Sequence, residues 1–270
     1  MGNMLRASGS PDQLPDRKLR FATPYPVLFA PHPVERVWGG HRLKTWFDVH
    51  TPAPVGEYWL VSAHPAGPSA VRNGPFRGMT LDELVRLHPE AYLGTPPHDR
   101  YAPPPDPALR SRFPLLVKLI EAADHLSVQV HPDDAAAFAR ENDFGKTEAW
   151  YILEPGEEGA IIYGHSFESA DDLLAAARDG GRFARGLERL AVRPDELVYV
   201  PAGTVHAILK GTVLLEIQQS SDVTYRLYDW DRKGASGRGR ELHIGQAMSV
   251  MRFGPREREA ARRAAKPAAV

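Results

Sequence analysis

The sequence predicts a mainly β protein, a barrel or a sandwich, with a few short helices. Three observations carry this. Short runs rich in β-branched, aliphatic and aromatic residues recur through the second half of the chain. The 25 prolines and 23 glycines are scattered, so they punctuate many brief segments. Helix-start signals are confined to a handful of places.

Taken in order, residues 1–24 mix Ser, Pro, Asp, Arg and Gly without periodicity and are expected to be a disordered leader. Thr80-Leu-Asp-Glu83 is a capping box ahead of Leu84, Val85 and Leu87, which predicts a helix. Residues 96–112 read as a long Pro-rich loop. Strands are expected at Phe113–Ile120 and Leu126–Val130, and Pro132 is placed as the first residue of a helix through Asp133–Arg140. Further strands are expected at Ala149–Leu153 and Ala160–Tyr163. Ser169 then caps a helix for which Gly180 is the expected stop. The last strands fall at Leu197–Val200, Thr212–Gln219 and Thr224–Tyr228. The end from about residue 255 is basic and is read as a solvated tail. No repeat of fixed period is found.

Composition narrows the function. A charged fraction of 25% and a hydrophobic fraction of 43% describe an ordinary globular chain. Its 270 residues suffice for a substantial core. With 33 basic and 34 acidic residues, the balance disfavours nucleic-acid or membrane-surface partners. No apolar run is long enough to span a bilayer, and the first twenty residues lack the apolar stretch of a signal peptide. A cytoplasmic location is the expectation. There are no cysteines, so disulfides and thiolate metal sites are excluded. A zinc ion here would need His, carboxylate or another oxygen ligand, which fits a catalytic site better than a structural one.

Four segments carry candidate chemistry. On one strand, Ser127, Gln129 and His131 share a face because side chains alternate with period two, while Val128 and Val130 face the other way. Lys146 and Glu148 are likewise two residues apart. Alone, such a pair is usually a surface ion pair. Pro201-Ala-Gly203-Thr-Val-His206 places a histidine just after a tight turn, and imidazole suits a borderline metal. Lys118 sits in the apolar run Leu115–Ile120, where an ammonium is costly unless paired or used. Glu216 lies among apolar residues, and Arg226 alternates with aromatics. They could neutralise each other, or bind a charged sugar phosphate and move a proton. Gln129, His131, Glu148 and His206 together make a His2Glu set plus an amide oxygen.

The segments LSVQVHPDD, GKTEAWYIL, VPAGTVHAI and QQSSDVTYRLYDWDR, with Trp38-Gly-Gly and Gly56-Glu-Tyr-Trp59, resemble the type I phosphomannose isomerases (mannose-6-phosphate isomerases) in their short bacterial form. The resemblance covers most of residues 25–250. It implies a cupin-type (jelly-roll) β-barrel over residues 25–255, in one unit or two packed β lobes, with the metal site built from residues 113–230 and a basic tail over 256–270. It also implies a zinc-dependent aldose–ketose isomerase that interconverts mannose 6-phosphate and fructose 6-phosphate through a cis-enediol. By motif position, one Zn2+ per chain would be held by Gln129, His131, Glu148 and His206. Lys118, Ser127 and Arg226 would contact the phosphosugar, and Arg226, Lys146 and Glu216 would be catalytic. The proton-transfer base is left open among Glu216, a neutral Lys146 and a metal-bound water. The partner is a small-molecule phosphosugar, and the assembly a monomer or homodimer. Glu57-Tyr58-Trp59 departs from the Glu-Ser-Trp of many relatives, which leaves the role of that segment open, and the helical insertion of longer forms is missing. Two other readings remain: a non-catalytic metal-containing cupin that binds or senses sugars, and an isomerase of a related sugar.

Overall fold

The computed structural model describes residues 22–94, 104–233 and 237–254, and the backbone of residues 268–269. Most of the expected leader, the centre of the Pro-rich segment and most of the basic tail lie outside the described residues. Ala22, placed in the expected leader, and Tyr25 rest against the buried Val71–Phe76–Met79–Leu84 cluster.

The described chain is built on two antiparallel sheets. The larger contains β1 (His32–Gly40), β2 (Val55–Val61), β3 (Leu115–Glu121), β5 (Glu148–Pro155), β8 (Glu196–Val200), β10 (Thr212–Gln219) and β12 (Ala268–Ala269). Its spatial order is β1-β2-β3-β10-β5-β8-β12. The smaller contains β4 (Val128–Val130), β6 (Ala160–His165), β7 (Leu187–Ala191), β9 (His206–Ala207) and β11 (Tyr225–Tyr228), ordered β11-β4-β9-β6-β7. The sandwich layout and every expected strand are present. β12 pairs with β8 at the end of the expected tail, through Ala268–Leu197 and Ala269–Glu196. Among the described residues no helix is long and apolar enough to cross a membrane.

The helices are short. Helix α1 (Leu81–Leu87) starts in the expected capping box, with both Thr80 and Glu83 bonded reciprocally. A single turn, α2 (Pro89–Tyr92), follows it. Another, α3 (Pro107–Arg110), interrupts the segment read as a loop, because Asp106 accepts from the Ala108 N–H and Pro107 is pre-set for a first helical position. Helix α4 (Asp134–Arg140) begins two residues later than expected. Asp133, not Pro132, sets its start by accepting from the Ala136 N–H at 2.9 Å. Ser169 caps α5 (Ala170–Ala177) as expected. Gly180 does not end that helix but opens α6 (Gly180–Arg185), since the Asp179 carboxylate caps a new N-terminus. A last short helix, α7 (Ile244–Met248), lies over β11.

Two apolar layers position the site. Between the sheets, Trp38, Ile120, Trp150, Ile152, Ile161, Val200 and Leu214 form one buried cluster. On the outer face of the small sheet, Val128, Val130, Ala207 and Leu227 pack against Leu173, Ala176 and Phe183 of the helices. Val128 and Val130 therefore turn outward, as alternation predicts, and Gln129 turns toward the space between the sheets. At the end of β1, Gly40 leaves room that a side chain would fill: an added Cβ would meet Glu121 Oε1 at 2.0 Å. That carboxylate instead accepts the backbone N–H groups of Arg42 and Leu43 at 3.1 and 3.0 Å, fixing the turn out of β1.

Candidate metal centre and cavity

Strand register assembles the site. In the small sheet Gln129 sits opposite both His206 and Arg226. In the large sheet Glu216 of β10 sits opposite Lys118 on one side and Trp150 on the other, and Gln218 opposite Glu148. The two sheets face each other here, so His131 and His206 of one meet Glu148 of the other.

These three residues form a group whose ligand atoms all lie within 4.8 Å of one another, and all three are buried. Each imidazole directs Nδ1 at a backbone carbonyl: His131 at Val223 O and His206 at Thr204 O, both at 2.9 Å. A carbonyl only accepts, so Nδ1 carries the proton and Nε2 of the neutral ring presents a lone pair. Nε2 of His131 lies 3.2 Å from Glu148 Oε1, and Nε2 of His206 lies 3.7 Å from Oε2. The turn that delivers His206 depends on Gly203, whose φ of +83° favours glycine; a Cβ there would also meet Val250 O at 2.9 Å.

The electrostatics call for a cation. Burial, reinforced by Lys146, pushes the His131 imidazolium down to about 3, and burial also lowers His206. Burial disfavours the Glu148 carboxylate, yet the adjacent Lys146 ammonium works against burial, and the group is held well below its ordinary range. His131 Nε2, His206 Nε2 and Glu148 Oε1 are buried acceptors without a hydrogen-bond partner. Lys146 Nζ lies 3.3 Å from that oxygen, an ion-pair distance without hydrogen-bond geometry. Three converging lone pairs that no proton satisfies fit a divalent metal, and the N,N,O donor set suits zinc. Gln129 could add an amide oxygen from the adjoining cavity wall.

In front of this group lies a cavity of about 310 Å³. Lys118, Ser127, Gln129, Lys146, Glu216 and Arg226 all line it, so every residue singled out from the sequence is at the metal group or in this wall. Lys118 is held between Glu57 Oε2 at 3.6 Å and Glu216 Oε2 at 3.4 Å. Burial works against its charge, but Glu57 and Glu216 prevail and raise its pKa. Glu216 behaves oppositely: burial, then the nearby Glu148, push its carboxyl up to about 7 despite Lys118. Trp150 Nε1 donates to both Glu148 Oε2 and Glu216 Oε1 at 3.1 Å. Arg226 directs Nη1 to Glu241 O at 2.7 Å, and its Nε is buried without a partner.

Sequence reasoning gave no site role to four charged lining residues: Arg36, Glu57, Asp222 and Arg240. Glu57 accepts from Arg36 Nε at 2.8 Å and from the Trp59 indole at 2.7 Å. Arg240 is locked by both oxygens of the buried Asp229. A carboxylate in an otherwise apolar strand, the signal used for Glu216, would also have found Glu57. Nothing local distinguishes Arg36 or Arg240 from surface arginines.

The fold and site define a double-sheet β protein with a buried His2Glu group suited to a metal under a cation-lined cavity. A sequence model of the phosphomannose isomerase type I catalytic domain matches residues 29–149. The mannose-6-phosphate isomerase of Streptococcus mutans is 44% identical over 223 residues, covering 82% of this chain and 66% of the relative. The mannose-6-phosphate isomerase ManA of Bacillus subtilis is 42% identical over 230 residues, covering 85% and 69%. The crystal structure of the mannose 6-phosphate isomerase from Bacillus subtilis superposes with a TM-score of 0.73 at 41% identity, covering 84% of this chain and 68% of that one. The chain belongs to the type I phosphomannose isomerase family and has its cupin fold. It spans about two thirds of the length of these relatives.

Proposed function

We propose that this chain interconverts mannose 6-phosphate and fructose 6-phosphate through a cis-enediol(ate), using one zinc ion held by Gln129, His131, Glu148 and His206. The observation that carries this reading is the set of three buried, unpartnered acceptor atoms beneath a cavity lined by cations. Family membership supports the substrate pair. Zinc, when bound, supplies Lewis-acid stabilisation of charge developing on the sugar oxygens.

The chain's own residues divide the remaining work. Ser127 and Arg226 would anchor the phosphate and so position C1 and C2, and Lys118 would contact the phosphosugar from the Glu216 side of the cavity. Arg226 suits this because a guanidinium can offer paired donors to an oxyanion. Glu216 is the favoured base. Its pKa of about 7 leaves it able both to accept and to return a proton near neutrality. Trp150 occupies Oε1, so Oε2 is the oxygen that would take the proton from C2 and return it at C1. Lys118, 3.4 Å from Oε2, stabilises the ionised form. Lys146 stands beside Glu148 as the second candidate and would orient a substrate hydroxyl.

The reading is tested by a coupled assay of the zinc-reconstituted protein with mannose 6-phosphate, fructose 6-phosphate and free mannose. Interconversion of the two phosphates is expected. Absence of reaction with all three would instead favour a sugar-binding module. Arg226→Ala should lower kcat/KM by on the order of 10²-fold, and an unchanged value would remove Arg226 from the site.

A further inference from the structure

Trp150 lies within two residues of a metal ligand in sequence and touches three functional groups in space. Its side chain is fully buried in the cluster between the sheets. Its indole Nε1 is 3.1 Å from Glu148 Oε2 and 3.1 Å from Glu216 Oε1. Its ring meets the His206 imidazole nearly at right angles, with centroids 5.3 Å apart and planes at 76°. Strand geometry produces all of this. Glu148 precedes it by two residues on the same face of β5, and Glu216 is its direct cross-strand partner on β10.

An indole has one N–H and no acceptor. Shared between two carboxylates, that hydrogen limits the rotation of both. At Glu148 it occupies Oε2, and Oε1 is the oxygen that is buried without a hydrogen bond, as are the two imidazole Nε2 atoms. At Glu216 it occupies Oε1 and leaves Oε2 facing Lys118. The positive end of the N–H dipole also lies between two carboxylates that would otherwise repel each other in a buried setting.

We propose that Trp150 is a positioning residue whose single indole N–H ties Glu148 Oε2 to Glu216 Oε1, turning Glu148 Oε1 toward the cation and holding Glu216 at a fixed place beside it. This rests on the metal-site reading above and assigns a role to a residue that is neither ligand nor substrate contact. Partners that orient a metal ligand typically change metal affinity or activity by 10–100-fold when removed.

The test is Trp150→Phe, which keeps an aromatic ring in the core and removes the donor. Zinc affinity is read by competition with a chromophoric chelator, and kinetics are read at saturating zinc. Zinc should bind about 10–100-fold more weakly. At saturation kcat should fall about 10-fold, with KM for mannose 6-phosphate within about twofold of wild type, since Trp150 does not line the cavity. Zinc affinity within about twofold of wild type overturns the inference, whatever the activity does. Should the phenylalanine variant not fold, benzothienylalanine at position 150, which keeps the bicyclic shape without an N–H, carries the same expectation. A wild-type protein that fails to bind zinc would sink the metal reading itself; tight binding by both wild type and variant sinks only this proposal.

Discussion

Two strands of the large sheet carry the same three-residue arrangement, and the molecule completes them in opposite ways. On β2, Glu57-Tyr58-Trp59 places an indole N–H on the carboxylate two residues earlier, at 2.7 Å. On β5, Glu148-Ala149-Trp150 does the same at 3.1 Å. Around Glu57 the protein supplies its own cations. Arg36 donates to both oxygens, at 2.8 and 3.2 Å, and Lys118 lies 3.6 Å away over the Trp59 ring. Around Glu148 one cation, Lys146, lies 3.3 Å from Oε1 without hydrogen-bond geometry, the other neighbours are two neutral imidazoles presenting lone pairs, and Oε1 is left without a hydrogen bond. A Glu-x-Trp unit on a strand therefore makes a fixed carboxylate. Whether it becomes a structural ion pair or a cation site depends on what the facing strands bring to its free oxygen.

The largest effect should come from spoiling the open unit. Glu148→Gln removes the only charge among the three converging acceptors. Metal content after gel filtration should fall to background, and turnover should drop by on the order of 10³-fold, since the electrostatic stabilisation it anchors is typically worth that much. Full zinc occupancy in that variant would contradict the assignment. The matching change in the closed unit, Glu57→Gln, should act on stability instead. It leaves Arg36 and the buried Lys118 short of a counter-charge, at a cost of on the order of 3 kcal/mol by denaturant unfolding. Zinc affinity should stay within about threefold of wild type, because Glu57 is not among the converging acceptors. A large loss of zinc there would dissolve the distinction between the two units.

The open unit was more legible in the sequence than the closed one, for physical reasons. Ser127, Gln129 and His131 announce a polar face by period-two alternation. His206 follows a glycine turn, and Glu216 is a carboxylate inside an apolar run. The strands read from the sequence are those whose own residues are strongly β-forming, such as Thr212–Gln219, which is observed with those bounds. Strands β1 and β2 carry Pro33, Gly39, Gly40, Gly56 and Glu57, which local propensity counts against a strand. They form because β1 pairs with β2 and β2 with the distant β3, and this pairing and the burial of Trp38, Tyr58 and Trp59 override it. Arg36 and Arg240 reach the cavity only through partners far along the chain or beyond a turn, Glu57 and Asp229, so no local pattern marks them. Gly180 misled because a glycine that opens a helix and one that follows a helix look alike until Asp179 is seen to cap.

Acid should separate the units further. Burial opposes the charge on Glu57, but Lys118 and Arg36 outweigh it and hold its carboxyl at about 2, against 4.5 in the unfolded chain. The folded state thus binds fewer protons than the unfolded state between these values. The stabilisation is complete above about pH 4.5 and is lost as pH falls toward 2. For the metal-free protein, the Glu57 contribution should shrink by about 2 kcal/mol between pH 4.5 and 3. The Glu57→Gln variant should lack that part of the slope, and parallel acid limbs for the two proteins would refute the ion-pair account.

The smallest expected effect is also the sharpest comparison. Trp59→Phe removes one of several hydrogen bonds to Glu57 and trims a buried ring, so a loss of about 1–2 kcal/mol in stability is expected. Arg36 still fixes both oxygens of Glu57, so that carboxylate keeps its orientation. Lys146 stands 3.3 Å from Glu148 Oε1 without hydrogen-bond geometry, so among the described residues the directional hold on that carboxylate is the Trp150 hydrogen bond. Zinc affinity should therefore be unmoved by Trp59→Phe and weakened by Trp150→Phe, although each change deletes an indole N–H from a carboxylate two residues away. Equal zinc affinities in the two variants would mean that the converging acceptors set the site unaided, and that the two units differ in partners but not in how their carboxylates are held.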